Sequence, residues 1–555
     1  MGLVWLIAIA GPPSVLLGLG LLPIRRAHVG LVLVRSIVCR GALTTFLGAA
    51  LFLATAGSSA PGRVSLFELP GLPIDLYLDR LSLLMAVLVG GLGAAVARYS
   101  VRYLKGEPTQ GRFFRWLGFT LGAVLWLVLA GNLLLFALAW VLTSMGLHRL
   151  LTHYADRPVA VRAAWHKFFI SRLGDCFLVT ALIFTYQHFG SLEYSELFQR
   201  AAELQAANAS LPWTVHLLAG LFALAAMTKS AQVPLHSWLP DTLETPTPVS
   251  ALMHAGIINA GGYLLIRLSP LVGLSATALQ WLALVGALTA ILAATVMLTQ
   301  TSIKRVLAYS TVAQMGFMLL QCGLGMFSAA FLHLLGHSCY KAFAFLSSGS
   351  VLASAVGPRL HQGPAITRAR MAGIRLAALL VSVLVIGGTG LMWGWHATEG
   401  PSPLVMMAVL GLALSTLLMP ALLIGSWRTQ MLAVGTTVGV AQAYFLGFLV
   451  LDSYLGTSVA HLPLAWSLST GLLTAMIVGG MLFLWWWQVE LLPQRLGLVL
   501  QDPAAVPIAR WRQQWYVHAL NGFYSDVYLW RWLDRWIPAA PRWTVDGGLT
   551  RAHVD

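Results

Sequence analysis

Apolar residues in this chain come in long runs, not in alternation. Stretches of about 20 mostly apolar residues recur from end to end, each long enough to cross a hydrocarbon layer as a helix. About 15 such segments can be marked, near 3–23, 32–57, 78–98, 114–131, 133–152, 167–187, 214–235, 247–268, 277–299, 304–325, 327–352, 374–395, 402–425, 430–452 and 463–487. No sustained two-residue alternation points to an outer-membrane barrel. The pattern predicts an all-α polytopic membrane protein. The first run lacks a charged leader and a small-residue cleavage site, so it is expected to be retained as a helix.

The polar positions between the runs add a topology. The chain has 555 residues, 58% hydrophobic and only 10% charged, with a formal net charge of +15. In a membrane protein the distribution of that charge matters more than its sum. Arg25 and Arg26 follow the first run. Arg98, Arg102, Lys105 and Arg112 follow the third, and Arg149, Arg157, Arg162 and Lys167 follow the fifth. Lys304 and Arg305 follow the ninth, and Arg359, Arg368, Arg370 and Arg375 the eleventh. The intervening loops are poor in Lys and Arg, and one carries Glu193, Glu196 and Glu203. This alternation predicts an external N-terminus and a cytoplasmic C-terminus. It explains the basic balance without nucleic acid as a partner.

Redox and metal chemistry find little support. Cys39, Cys176, Cys322 and Cys339 are scattered, with no C-x-x-C pair. Gly91-Leu-Gly93 is a fragment of a dinucleotide fingerprint inside an apolar run, without the strand that the fingerprint needs. No cofactor and no resident metal are expected.

Four zones follow. Residues 1–110 hold three helices and a polar loop, and 111–400 carry nearly all the intramembrane ionisable residues. Residues 401–487 are apolar helices, and 488–555 form a tail of Trp, Arg, Asp and Pro. The tail, with Trp511, Trp515, Tyr524 and Asp526, suits an interfacial segment or a docking site for a partner. Two runs look broken, one at Pro234 and one at Gly387-Gly388-Thr389-Gly390. Interrupted helices in two halves of a chain are a mark of transporters built from inverted repeats, and kinks at Pro and Gly also occur in inert membrane helices.

The ionisable residues carry the chemistry. Lys229 sits in Leu221-Phe-Ala-Leu-Ala-Ala-Met-Thr-Lys229, where a cation costs roughly 2.5–3.5 kcal/mol on insertion scales. Desolvation favours its neutral amine, so it can act as a proton relay; snorkelling to the interface is the alternative. Asp175, near the start of its run, shares a helical face with Arg172 and could pair with Lys229 or simply with that arginine. His254 follows Pro246 and Pro248, which suit an extended lead into a helix start. Its ordinary titration range suits a relay. His333, His337 and Lys341 recur at i, i+4 and i+8, which stacks them on one stripe about 6 Å apart. A single water can bridge each gap. A metal site would use the same histidine spacing, but no carboxylate or cysteine lies on the stripe and a lysine caps it.

These residues resemble a known family. Met227-Thr-Lys229-Ser-Ala-Gln-Val-Pro-Leu-His-Ser-Trp-Leu-Pro-Asp241, then Thr245-Pro-Thr-Pro-Val-Ser-Ala-Leu-Met-His254-Ala, is similar to the antiporter-like subunits of respiratory complex I and of Mrp cation/proton antiporters. So are Ile303-Lys-Arg-Val-Leu-Ala-Tyr-Ser-Thr311 with Gln314-Met-Gly316, and the His333/His337/Lys341 helix ending Phe345-Leu-Ser-Ser-Gly-Ser350. The similarity is clear over about 75–355, with a weaker echo of the distal subunit at Asn521-Gly-Phe-Tyr-Ser-Asp-Val-Tyr528. The resemblance implies antiporter-like inverted repeats with broken helices and no enzyme activity in the chain itself. It also implies Lys229 as the central lysine, with Asp175, His254, His333, His337 and Lys341 along a hydrated axis.

The departures narrow it. The family has a glutamate directly after a tryptophan in its fifth span; here Trp140 is followed by Val141, with no acid in 133–152. The family's twelfth span has a lysine or glutamate at its break; here 374–395 has only Arg375. The long lateral helix that straps complex I is not expected after 487. This pattern resembles the membrane subunit of the DAB inorganic-carbon accumulation system. That resemblance implies a bacterial inner-membrane subunit conducting protons, or Na+. Its partner would be a large cytoplasmic zinc-binding subunit like carbonic anhydrase, which carries the metal chemistry. The expected order is entry of protons from outside past Lys341, His337, His333 and His254 to Lys229, with exit near Asp175. A pumping subunit of complex I or an Mrp antiporter, and a passive anchor, are the rival readings.

Overall fold

The computed structural model describes residues 3–56, 62–69, 72–207, 210–349, 363–395, 400–495, 498–501, 510–525 and 527. Each run marked above contains a helix, with described non-helical stretches such as 230–235 and 463–467. Among the described residues, twelve helices are long and apolar enough to cross a membrane by length and composition, fewer than the expected number. The remaining segments are Leu3–Gly18 and Trp213–Lys229, which are shorter, and Phe327–Leu346, which carries the His/Lys stripe.

The connections sort into two ends. At one end an antiparallel hairpin, Arg63–Leu69 with Leu72–Tyr77, ties the loops together. Gly131 N donates to Asp75 O at 2.8 Å, Asn132 Nδ2 to Pro73 O at 2.9 Å, and Leu133 N to Leu192 O at 2.9 Å. Arg63 pairs with both Asp75 and Glu193. Ser402 Oγ bonds Leu324 O at 2.7 Å and Ala460 N bonds Ser269 Oγ at 2.9 Å at this same end. At the other end Arg112 reaches Thr152 O at 3.1 Å and Arg115 reaches Gly20 O at 2.6 Å. Thr109 Oγ1 lies 3.2 Å from His153 Nε2 there. The loops rich in Lys and Arg therefore gather at one end, here termed the basic end.

Ala276–Thr299 and Ile303–Gly323 pack more extensively than any other described pair. Small residues make this possible, as membrane helices need close backbone approach more than apolar burial. A Cβ on Gly286 would lie 2.4 Å from Leu320 N and 2.7 Å from Gly316 O. Gly286→Val should therefore cost about 1–3 kcal/mol or more by overpacking. A lower melting temperature in detergent would show it, with Gly220→Val as control, since nothing lies within 4 Å of that position.

The two expected breaks fare differently. Trp213–Lys229 ends at Ser230, Ala231 takes a left-handed φ of 49°, and Gln232 N closes the end on Met227 O at 3.0 Å. Pro234 lies inside this break; a short helix follows at Trp238–Asp241 and a 3-10 turn at Thr242–Glu244, and the next longer helix starts at Thr247 with proline in its first turn, as expected. Gly387 and Gly388 do not break their helix: Arg368–Met392 runs through them. Their backbone stays helical because hydrocarbon offers no other partner for freed amides. The second break lies instead after His254. Thr247–Ala255 stops at Gly256, a short 3-10 turn spans Ile257–Asn259, and Ala260–Arg267 continues the crossing. Ser230 Oγ donates to Ile258 O at 2.8 Å, so the two breaks touch.

Candidate functional site

Lys229 is the last residue of its helix, where the C-terminal carbonyls favour a cation. Its Nζ donates to Trp140 O at 3.3 Å and stands 4.4 Å from the centre of the Trp140 ring. Trp140 turns its indole Nε1–H to Asp175 Oδ1 at 3.1 Å, and Arg172 holds Asp175 Oδ2 at 2.7 Å. Lys229 and Asp175 thus meet through Trp140, not as a direct ion pair. Asp175 is not near the start of its helix. Pro158–Phe189 begins well before residue 167, which puts Asp175 midway along 32 residues. Gly174 sets this approach, since a Cβ there would lie 2.1 Å from Thr228 Oγ1, the neighbour of Lys229.

His333, His337 and Lys341 do share one helix. Their partners come largely from Ile303–Gly323, which offers a ladder of acceptors. Lys341 Nζ donates to Leu307 O at 3.3 Å. His254 Nδ1 lies 3.1 Å from Thr311 Oγ1, with its ring stacked 4.3 Å from Phe345. His333 is held on both nitrogens, by Gln314 Oε1 at 2.8 Å and Gln321 Oε1 at 2.9 Å. A glutamine amide can present its oxygen or its NH2, so this cradle fits either protonation state of the imidazole. The rings of His333 and His337 are 6.1 Å apart. Asn259, in the second break, donates to Ser338 Oγ at 2.7 Å. Several buried polar atoms here have no protein partner: Gln232 Oε1, His254 Nε2, Asn259 Oδ1 and both His337 nitrogens.

The order along the stripe is the reverse of the expected one. Phe327–Leu346 begins at the end where Ser402 meets Leu324, so Lys341, not His333, lies nearest the basic end. Lys167 also departs from the reading of it as a loop charge. It is buried in Pro158–Phe189 and donates to Ser144 O at 2.8 Å and Ser144 Oγ at 2.7 Å. The apolar run begins only after Lys167, which hid the true helix start at Pro158.

The described tail segment 510–525 packs on its own chain. Trp511 stacks on Trp486 with centroids 6.3 Å apart, and Trp515 sets its edge against Phe483 and Phe523 at 5.7 and 5.2 Å. Tyr524 packs on His518, and Gln300 Nε2 donates to Leu520 O at 3.1 Å. Asp526 lies outside the described residues.

The family model described as "NADH:quinone oxidoreductase/Mrp antiporter, TM" matches residues 130–394, which hold Trp140, Lys229, His254 and the stripe. That described as "NADH-Ubiquinone oxidoreductase (complex I), chain 5 N-terminus" matches 70–114. A probable inorganic carbon transporter subunit of Halothiobacillus neapolitanus is 38% identical over 84% of this chain and 80% of its own length. The chain belongs to the antiporter-like membrane-subunit family. A second such subunit, from Hydrogenovibrio crunogenus, is 40% identical over 66% of the chain and 67% of its own length. NADH-quinone oxidoreductase subunit L of Escherichia coli is 38% identical over 57% of the chain and 50% of its own length. The fold is shared with a chain of the Mrp complex from Dietzia sp., at TM-score 0.55 and 23% identity, covering 97% of this chain and 57% of that one. In this chain the position after Trp140 is Val141, and the carboxylate near Lys229 comes from the helix Pro158–Phe189 as Asp175.

Proposed function

We propose that this chain is the proton-conducting membrane subunit of an inorganic-carbon uptake complex, with Na+ as the alternative cargo. The observation that carries this reading is the meeting of two helix breaks inside a row of titratable side chains. Lys229 ends one broken helix and His254 precedes the other break, and the breaks are joined by Ser230 and Ile258. The unpartnered polar atoms around them call for water, which needs two to four polar partners and roomy polar surroundings. Water threaded between titratable groups is a proton path. With the basic end in the cytoplasm of a bacterial inner membrane, protons enter from outside at the His333 cradle. They pass His337 and His254 and reach Lys229.

Downhill influx suits this site better than pumping. Val141 stands where the resemblance implies a glutamate, and Asp175 is already engaged by Arg172 and Trp140. The match to inorganic carbon transporter subunits, which extends further along the chain than that to the quinone-reductase subunit, supports the carbon reading. Influx would then drive a large cytoplasmic zinc-binding partner of carbonic-anhydrase type. Purification of the tagged chain from its native host tests this. The expected result is co-purification of one large zinc protein, and the pair restoring growth in air to a host that lacks carbonic anhydrase. Co-purification with quinone-reductase or Mrp subunits would favour the redox-pump or antiporter reading instead.

Trp140 offers a finer test. Trp140→Phe keeps a ring face for Lys229 but leaves Asp175 without its indole donor. A hydrogen bond to a charged group contributes about 1.5–3 kcal/mol, so proton flux measured with a pH dye should fall about tenfold while the protein stays folded.

A further inference from the structure

Helix Leu133–Leu151 carries a second stripe of polar and aromatic groups. Trp140, Ser144 and His148 recur every four residues and share a face. Each meets a group from a neighbouring helix. Trp140 O accepts from Lys229 Nζ. One turn on, Ser144 O and Oγ accept from Lys167 Nζ. One more turn on, His148 Nδ1 lies 3.3 Å from Ala164 O. A carbonyl only accepts, so Nδ1 carries the hydrogen and Nε2 keeps its lone pair. The stripe runs from the broken helix toward the basic end. Past its last turn His153 Nε2 lies 3.4 Å from Glu107 Oε2, whose side chain is partly exposed. Lys167 acts electrostatically on both Lys229 and His148, with Arg172 and Asp175 on its own helix and Arg149 beside His148 completing the charged surroundings.

Lys167 has the donor count of a relay. A neutral amine has two N–H bonds and one lone pair, and Ser144 takes two hydrogens through its two oxygens. The lone pair remains to accept a proton. A staple between two helices would need only an uncharged donor, and a lysine at membrane depth with no carboxylate against its amine is the costly choice for that task. Asp175, the acid expected to lead protons away from Lys229, lies level with Trp140, on the far side of Lys167 from the basic end.

We propose that Lys167 is the proton carrier that follows Lys229, and that the Ser144–His148 stripe is the leg joining Lys229 to the basic end. This rests on the conduction reading above. In each pass an N–H bond of the Lys229 ammonium breaks and the proton adds to the lone pair of the neutral Lys167 amine, directly or across one water. Lys229 is left neutral and Lys167 cationic. Lys167 then gives a proton to His148 Nε2, and the imidazolium releases it at the basic rim. No electron moves, and one proton crosses per pass.

The test is proton flux into proteoliposomes holding the full chain with its natural partner, for wild type, Lys229→Ala, Lys167→Gln, Lys167→Arg, Ser144→Ala and His148→Phe. Glutamine keeps a donor for Ser144 and arginine keeps the charge, but neither carries a proton on and off at working pH. Both Lys167 variants should lose at least tenfold in flux with assembly and melting temperature unchanged, and Ser144→Ala should lose severalfold. Wild-type flux in either Lys167 variant, with Lys229→Ala silent, would overturn the leg and leave the conduction reading standing. If the Lys167 variants do not assemble, unchanged flux in both Ser144→Ala and His148→Phe overturns it. A wild-type complex that passes no protons would sink the conduction reading first, and this leg with it.

Discussion

Lys229→Ala should abolish proton flux and, with it, carbon-dependent growth. Lys229 stands where the two halves of the site meet. It ends the broken helix whose Ser230 meets the second break, and it lies against the Trp140 ring that holds Asp175. Loss of a positioned proton-transfer group typically lowers a rate on the order of 10²–10⁴-fold, and flux should fall by at least the lower figure. Lys229→Arg should fail equally, because a guanidinium keeps its proton throughout the working range. That pairing separates relay from charge: a purely electrostatic role for Lys229 would let the arginine variant conduct. Folding should survive both changes, since Asp175 keeps Arg172 and Trp140 as partners. Growth in air and pH-dye flux measure the outcome.

Asp79→Ala should be the most destabilising single change at the end away from the basic loops. Arg267 is almost wholly buried, at 1% exposure, and pairs with Asp79 through two bonds of 2.7 and 2.9 Å. Tyr77, Tyr194 and Tyr263 surround the guanidinium with ring centres 5.3–5.9 Å away. Asp79 also caps Arg80–Tyr103 through a reciprocal exchange with Ser82. Removing it strands a buried cation and a helix start, a loss of about 3–5 kcal/mol for the broken pair. Replacing both partners by apolar residues, Asp79→Leu with Arg267→Met, should recover most of that loss, because no unpaired charge remains. Melting in detergent reads both. Equal loss in the single and double variants would show that the pair itself, not the stranded charge, holds this end.

The helices were legible because a bilayer demands long apolar runs, and each run marked in the sequence contains a helix. The His333/His337/Lys341 stripe was legible from spacing alone. Its partners were not, because Gln314, Gln321, Thr311 and the Leu307 carbonyl are ordinary residues until Ile303–Gly323 packs against the stripe. Lys167 was hidden by the boundary between basic and apolar sequence. A helix starting at Pro158 carries its basic first turns inward, and hydropathy alone puts the membrane edge too late. Gly387 and Gly388 misled because glycine permits a bend without requiring one. Gly256 bends instead, under the pull of Asn259 toward Ser338 and of Ile258 toward Ser230. The break at Pro234 was announced by a residue that cannot continue a helix.

The most direct measurement is dye-reported acidification of proteoliposomes containing the wild-type chain with its natural partner under an inward pH gradient. Acidification should run well above that of empty liposomes, unchanged when Na+ is replaced by K+ and absent in Lys229→Ala. Acidification no faster than in empty liposomes, with the partner bound, would contradict proton conduction and leave the chain as a membrane anchor.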